Sequence, residues 1–420
     1  MKFKAETFDK LQHLFQIYKF NDRHLHCIID FENKLDFKLL TKAVRATIEV
    51  VPIIGCRYVE DKKAPFWETV PCIKSEDLIL VTSSKSEFDN FITSETNLFI
   101  GPQLKLCVLQ GEQNSMAVIM NHMICDAAGF KQYLYLLCDI YSELSKNQNY
   151  KSTYKLLGSR SLDRVLNTLT KKEKIKALLL QNKESNKDCG YVFPMSAIGD
   201  IWPFIVTTTI ERDSFLFIKE YCKTRKVTIN DVVLAAYYRV LYKTLDIKEN
   251  NPITVPIMID MRRYLRDKEI DGLCNLASSA GTNLEHDSKD SFETTVRKIS
   301  ESIKAKKDNF LGINAFMKMS LLYKILSYSQ AKKLLKKGFK NPHIAMTNIG
   351  ILDSKKLYFS GNTIKSAYMC GSIKYPPYFQ LAVSSFDNTM TFSVNLYGDK
   401  QDKKNFEKFL EELKSELPSK

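Results

Sequence analysis

The 420-residue chain is poor in the features that would place it in several common classes. It has ten cysteines, but no two are spaced as CxxC, so neither a zinc ribbon nor a disulfide framework is written into it; free thiols in a reducing cytoplasm are expected. No apolar run approaches the ~18 to 20 residues that cross a bilayer. The opening "MKFKAETFDKLQHLF" carries Glu6 and lacks the continuous apolar core of a secretory signal. With 15 glycines and 12 prolines, fibrous and low-complexity architectures are excluded as well. A soluble, cytoplasmic globular protein is the expectation.

What is present supports a substantial core. Hydrophobic residues make up 44% of the chain and aromatics 11%, and the length suits two domains of similar size better than one. The formal net charge is +14. Lysines are spread through almost every segment and mixed with acids, with no aromatic-interleaved basic stripe, so a nucleic-acid partner is not expected. The charge does suit an anionic small-molecule or carrier-bound substrate.

Along the chain, "HLHCIIDFE" has strand character. It is followed by "LDFKLLTKAVRATIEV", where Leu39, Leu40, Ala43, Val44, Thr47 and Ile48 fall at helical spacing behind Asp36 as N-cap. Pro52 stops that helix and "VPIIGCRYV" turns into a second strand. "LKLCVLQGEQNSMAVIM" reads as a hairpin around Gly111, and Phe130, Tyr133, Leu134, Leu137, Ile140, Tyr141 and Leu144 trace one face of a helix. In the second half, "TINDVVLAAYYRVLYK" is a helix capped by Thr228 or Asn230 and apolar nearly all round, hence buried between layers. "PITVPIMIDMRRYL" is a buried strand ending in Arg262 and Arg263. "IAMTNIGIL" reads as a strand with a turn, and "YFQLAVSSFDNTMTFSVNLYG" as a hairpin with Asp387 and Asn388 at its tip. The helix–Pro–strand run of residues 37 to 57 and the run 229 to 262 look loosely alike, which favours two related α/β lobes. We place an N-terminal lobe at residues 1–160, a connecting segment at 161–200 and a C-terminal lobe at 201–420.

The stretch that carries chemistry is "NHMICDAAG", residues 121 to 129. It sets His122 and Asp126 in a short connection between a strand and a helix. Imidazole titrates close to neutrality and is suited to take a proton from a hydroxyl or amine and return it to a leaving group, while an acid at a helix start can cap free amides. Spacing alone leaves two readings open: a catalytic histidine, or a core histidine beside a helix cap.

The order of the surrounding segments narrows this. "NHMICDA" resembles the HHxxxDG signature of the chloramphenicol-acetyltransferase-like superfamily, which includes condensation domains, alcohol acyltransferases and wax-ester or diacylglycerol synthases. "LDFKLLTKAVRATIEVVPIIGCRY", "TINDVVLAAYYRVL", "PIMIDMRR" and "AMTNIGIL" resemble further segments of that family in the same order, over roughly residues 25 to 400. The resemblance implies an α/β fold of two similar lobes in a V around a central tunnel. It implies an acyltransferase that moves an acyl group from acyl-CoA or an acyl-carrier protein to an alcohol or amine, with the phosphopantetheinyl thioester as co-substrate, no permanently bound cofactor and no metal. His122 becomes the general base. Asp126 becomes a support that pairs with Arg262, Arg263 being the second choice. Asn121, Ala127, Gly129 and Asn348 become candidate tunnel contacts, with a turn role equally open for Asn348.

Two departures stand out: Asn121 occupies the first-histidine position, and Ala127 stands where the family has glycine, a residue freer to adopt left-handed backbone. The plant-type DFGWG motif is absent. Ala127 leaves room for a non-catalytic scaffold for a carrier protein, and the lysines near 318 to 340 for a lipid acyltransferase at a membrane surface, although a membrane partner is not the main expectation. Cys125 reads as a buried hydrophobe rather than a nucleophile, and His24 with His26 as a strand pair without the further ligands a metal needs.

Overall fold

The computed structural model describes residues 1–179, 190–196, 200–265, 272–307, 312–338 and 341–419. Two mixed sheets organise it. In the N-terminal lobe the strand order is Ile364–Cys370, His24–Phe31, Ser115–Asn121, Leu104–Leu109, Ile79–Thr82. In the C-terminal lobe it is Ala277–Glu285, Pro252–Asp260, Ile344–Leu352, Phe379–Phe386, Thr389–Gly398, Trp202–Ile210. Lys2–Lys4, Phe66–Thr69 and Cys56–Val59 form a small third sheet.

Local chemistry starts the main helices where the sequence suggests. The Asp36 carboxylate accepts from Leu39 N, and the helix Phe37–Val50 buries Leu40, Ala43, Val44, Thr47 and Val50 in the N-terminal core beside the helix Ala127–Lys146. Thr228 and Asp231 close a reciprocal capping box at the start of Ile229–Thr244, which is buried almost all round. In the hairpin 379–398, Asp387 and Asn388 both take positive φ, as a two-residue hairpin turn requires.

Two features differ from the sequence reading. Residues 344–352 form one continuous strand with a bulge, not a strand with a turn: Gly350 adopts φ +81° and its N–H bonds to the Asn348 side chain, so the ladder is interrupted without reversing direction. The likeness between the two helix–Pro–strand runs ends at the strands. Cys56–Val59 joins the small sheet, while Pro252–Asp260 joins the large one.

The lobes are tied at the backbone level. Strand Ile364–Cys370, late in the chain, pairs antiparallel with His24–Phe31 and completes the N-terminal sheet. From the other side the Lys131 ammonium donates to the carbonyls of Ile349 (2.8 Å) and Ile351 (3.3 Å).

Candidate active site

Strand Ser115–Asn121 delivers the residues of interest to the junction of the lobes, with Asn121 opposite His24 and His122 N bonded to Arg23 O at 2.7 Å. The chain then turns tightly. The Asn121 side chain holds that turn, its Oδ1 accepting from Met123 N (2.9 Å) and its Nδ2 donating to Gln103 Oε1 (2.7 Å). Both polar ends of Asn121 are therefore used inside the protein. The position that carries a histidine in the signature serves here as a turn staple.

His122 is the only residue between 121 and 126 that is not fully buried. Its Nδ1 lies 2.9 Å from the Cys125 carbonyl. A carbonyl only accepts, so Nδ1 carries the proton and the lone pair resides on Nε2. Burial pushes the imidazole pKa below its ordinary value, opposed by the Asp126 charge and the backbone bonds. At neutral pH the ring is uncharged with a basic Nε2.

Asp126 uses its two oxygens for two tasks. Oδ1 accepts from Gly129 N (2.9 Å) and caps the helix Ala127–Lys146; Oδ2 accepts from Arg262 Nη1 and from Leu276 N, each at 2.7 Å. The cap and the interlobe ion pair, alternatives in the sequence, are both made. Burial alone would raise this carboxyl, yet the Arg262 guanidinium and its hydrogen bonds hold it below the usual carboxylate range. Arg262 also donates to Asp260 Oδ1 (3.1 Å) and Cys274 O (3.1 Å), whereas Arg263 is exposed beside the Tyr264 ring.

Ala127 is the first residue of the helix and has no positive φ. The backbone at this site does not need the freedom of glycine. Gly129 is needed for space instead: a Cβ there would approach Cys125 Cβ to 2.9 Å and Cys274 O to 3.2 Å. Asn348 is exposed at the bulge, bonded to Gly350 N and 3.5 Å from Asn230 Oδ1, and no bond joins it to the His122 loop.

Two residues that the sequence did not single out touch this loop. Asn275 Nδ2 donates to the His122 carbonyl, and among the described residues its buried Oδ1 has no partner. Arg160, at the end of the first lobe, reaches the carbonyls of Met123 and Ile124. Neither belongs to a periodic pattern, and both bonds span more than thirty residues of chain, so local spacing holds no signal for them.

The other candidates are inert. The Cys125 thiol is buried and pushed well above its ordinary pKa, leaving it protonated. His24 sits 3.1 Å from Asp22 Oδ2 and accepts from Thr96 N, while His26 is fully buried beside it. Among the described residues no group of His, Cys, Asp or Glu could hold a metal ion, and no helix is long and apolar enough to cross a membrane.

Residues 275–419 match the WS/DGAT C-terminal domain. No curated protein is significantly similar in sequence. Solved structures match over nearly the full length of both chains. The TRI3 trichothecene 15-O-acetyltransferase from Fusarium sporotrichioides has a TM-score of 0.70 at 15% identity, covering 98% of this chain and 95% of its own. Polyketide synthase associated protein 5 from Mycobacterium tuberculosis gives 0.68 at 12%, covering 99% and 96%. The first condensation domain of the CDA synthetase gives 0.68 at 11%, covering 100% and 98%. Over its whole length the chain thus shares the two-lobed fold of these structures, and its residues 275–419 match the WS/DGAT C-terminal domain.

Proposed function

We propose that the protein transfers an acyl group from a thioester, either acyl-CoA or the phosphopantetheinyl arm of a carrier protein, to a hydroxyl or amine acceptor, with His122 as general base. The observation that carries this reading is the state of His122: a neutral ring at the lobe junction, its Nδ1 fixed by Cys125 O and its Nε2 left as an acceptor. The acceptor O–H or N–H gives its proton to Nε2 while its heavy atom attacks the thioester carbonyl. The tetrahedral intermediate then collapses, the C–S bond breaks, and the leaving thiolate takes the proton from Nε2. Asp126 and Arg262 do not touch the reacting atoms; they hold the loop from behind. The net charge of +14 favours approach of an anionic donor, which both CoA and carrier proteins are.

The test is mass spectrometry of acylated products from a panel of acyl-CoA and acyl-carrier donors with pooled alcohols and amines, run beside His122→Ala. The variant is expected to lose about 100- to 10,000-fold in rate. Equal transfer by both proteins would refute the assignment of the base.

A further inference from the structure

We propose that Arg160 is a positioning residue for His122, part of a second clamp that runs from the N-terminal helix Thr7–Ile17 through the guanidinium to the loop carbonyls. This rests on the acyl-transfer reading above.

The guanidinium is nearly fully buried, and its nitrogens serve three separate pieces of chain. Nη1 and Nη2 form a forked pair with Asp9 Oδ2 (2.9 Å) and Oδ1 (3.0 Å). Nε donates to Leu273 O (2.8 Å), and Nη2 also reaches Ile124 O (3.2 Å) and Met123 O (3.4 Å). Asp9 is itself buried and fixed by Trp67 Nε1 (2.8 Å) and by Glu6 N (3.0 Å). Two residues before the arginine, Gly158 packs closely on Gly272, where a Cβ would meet Gly158 O at 2.5 Å.

The bonding pattern gives the clamp its meaning. Three consecutive carbonyls follow His122: those of Met123 and Ile124 face Arg160, and that of Cys125 faces the imidazole Nδ1. Holding the first two behind the loop leaves the third where it selects the ring's tautomer. The Asp126–Arg262 pair acts elsewhere, on the end of the loop and on Cys274 and Leu276. Arg160 acts on the middle of the loop and on Leu273. Lysine at 160 would keep a charge for Asp9, but a single ammonium lacks the planar fork that serves all four groups together.

The experiment compares wild type, Arg160→Lys, Asp9→Asn and His122→Ala by steady-state kinetics, thermal melting and 15N NMR of the histidine rings. For Arg160→Lys we expect kcat to fall about 10- to 100-fold with KM changed less than about threefold, the scale of a small misplacement of a reacting group. The Nδ1–H tautomer of His122 is expected to lose dominance, and the acidic limb of the rate profile to move to higher pH as the freed ring regains water. Asp9→Asn should move the same observables in the same direction. Wild-type kcat and an unchanged His122 tautomer in Arg160→Lys, even with a lower melting temperature, would overturn the proposal and reduce Arg160 to a structural tie. The ring spectra decide this without any turnover. Undiminished transfer by His122→Ala would instead overturn the reading of the base.

Discussion

Removing the Asp126 carboxylate should be among the most damaging single changes in the protein. Asp126→Ala strips the acceptor from three buried donors: Gly129 N, Leu276 N and Arg262 Nη1. The lost helix cap is worth about 1 kcal/mol. An orphaned buried amide costs about 1 to 3 kcal/mol, and more when the donor is charged. Arg262 keeps Asp260 and Cys274 O, which limits its share. Roughly 3 to 5 kcal/mol of destabilisation follows, the range for breaking a buried pair from one side. Arg262→Met should cost a similar amount by leaving a buried carboxylate with two amides. The double variant removes both charges, so it should be less destabilised than the sum of the two by about 2 kcal/mol or more. Urea unfolding of all four proteins closes the cycle. Additivity within about 0.5 kcal/mol would show that the two side chains do not depend on each other and would refute the argument.

Four further outcomes are expected. Stability should fall on acidification, because burial holds His24 near a pKa of about 3 and His26 near about 4. The unfolded chain then binds more protons below about pH 6.5, and each ring forfeits about 2 kcal/mol by pH 5. Asp22, whose carboxyl burial raises, offsets part of this, so the check is that His26→Phe flattens the urea stability profile between pH 7 and 5. Gly129→Ala should lose about 1 to 3 kcal/mol by calorimetry through overpacking against Cys125 and Cys274 O, even though alanine is a better helix former. Thr228→Ala should cost about 1 kcal/mol in the same assay by opening the capping box. Among the nine described cysteines Cys72 alone is exposed, so Cys72→Ser should remove one fast-reacting thiol from a titration of the native protein.

What could be read in advance was what local chemistry writes. Asp36 before an apolar-periodic run, Thr228 before another, and paired apolar runs around a polar tip each announce an element, because the interactions that form it lie within a few residues. The meeting of Asp126 with Arg262 spans 136 positions, and only the ordered resemblance to a known family suggested it. Arg160 had neither aid: it sits in a polar stretch without periodicity, and every partner it has is remote. The Asn348–Gly350 bulge was misread because a positive φ at glycine serves a bulge as readily as a turn. Ala127 looked more serious than it is, since the helix begins at that residue and needs no left-handed backbone.

The pairing of Ile364–Cys370 with His24–Phe31 also sets the order in which the protein can be made. A ribosome that has released the first two hundred residues has produced every other strand of the N-terminal sheet, but its outer edge stays unpaired until residue 370 has emerged. Until then the row of free amides and carbonyls along His24–Phe31 is a template for any other chain. A fragment ending near residue 200 should therefore aggregate where the full chain does not, and adding a peptide that spans residues 359 to 375 should restore its solubility.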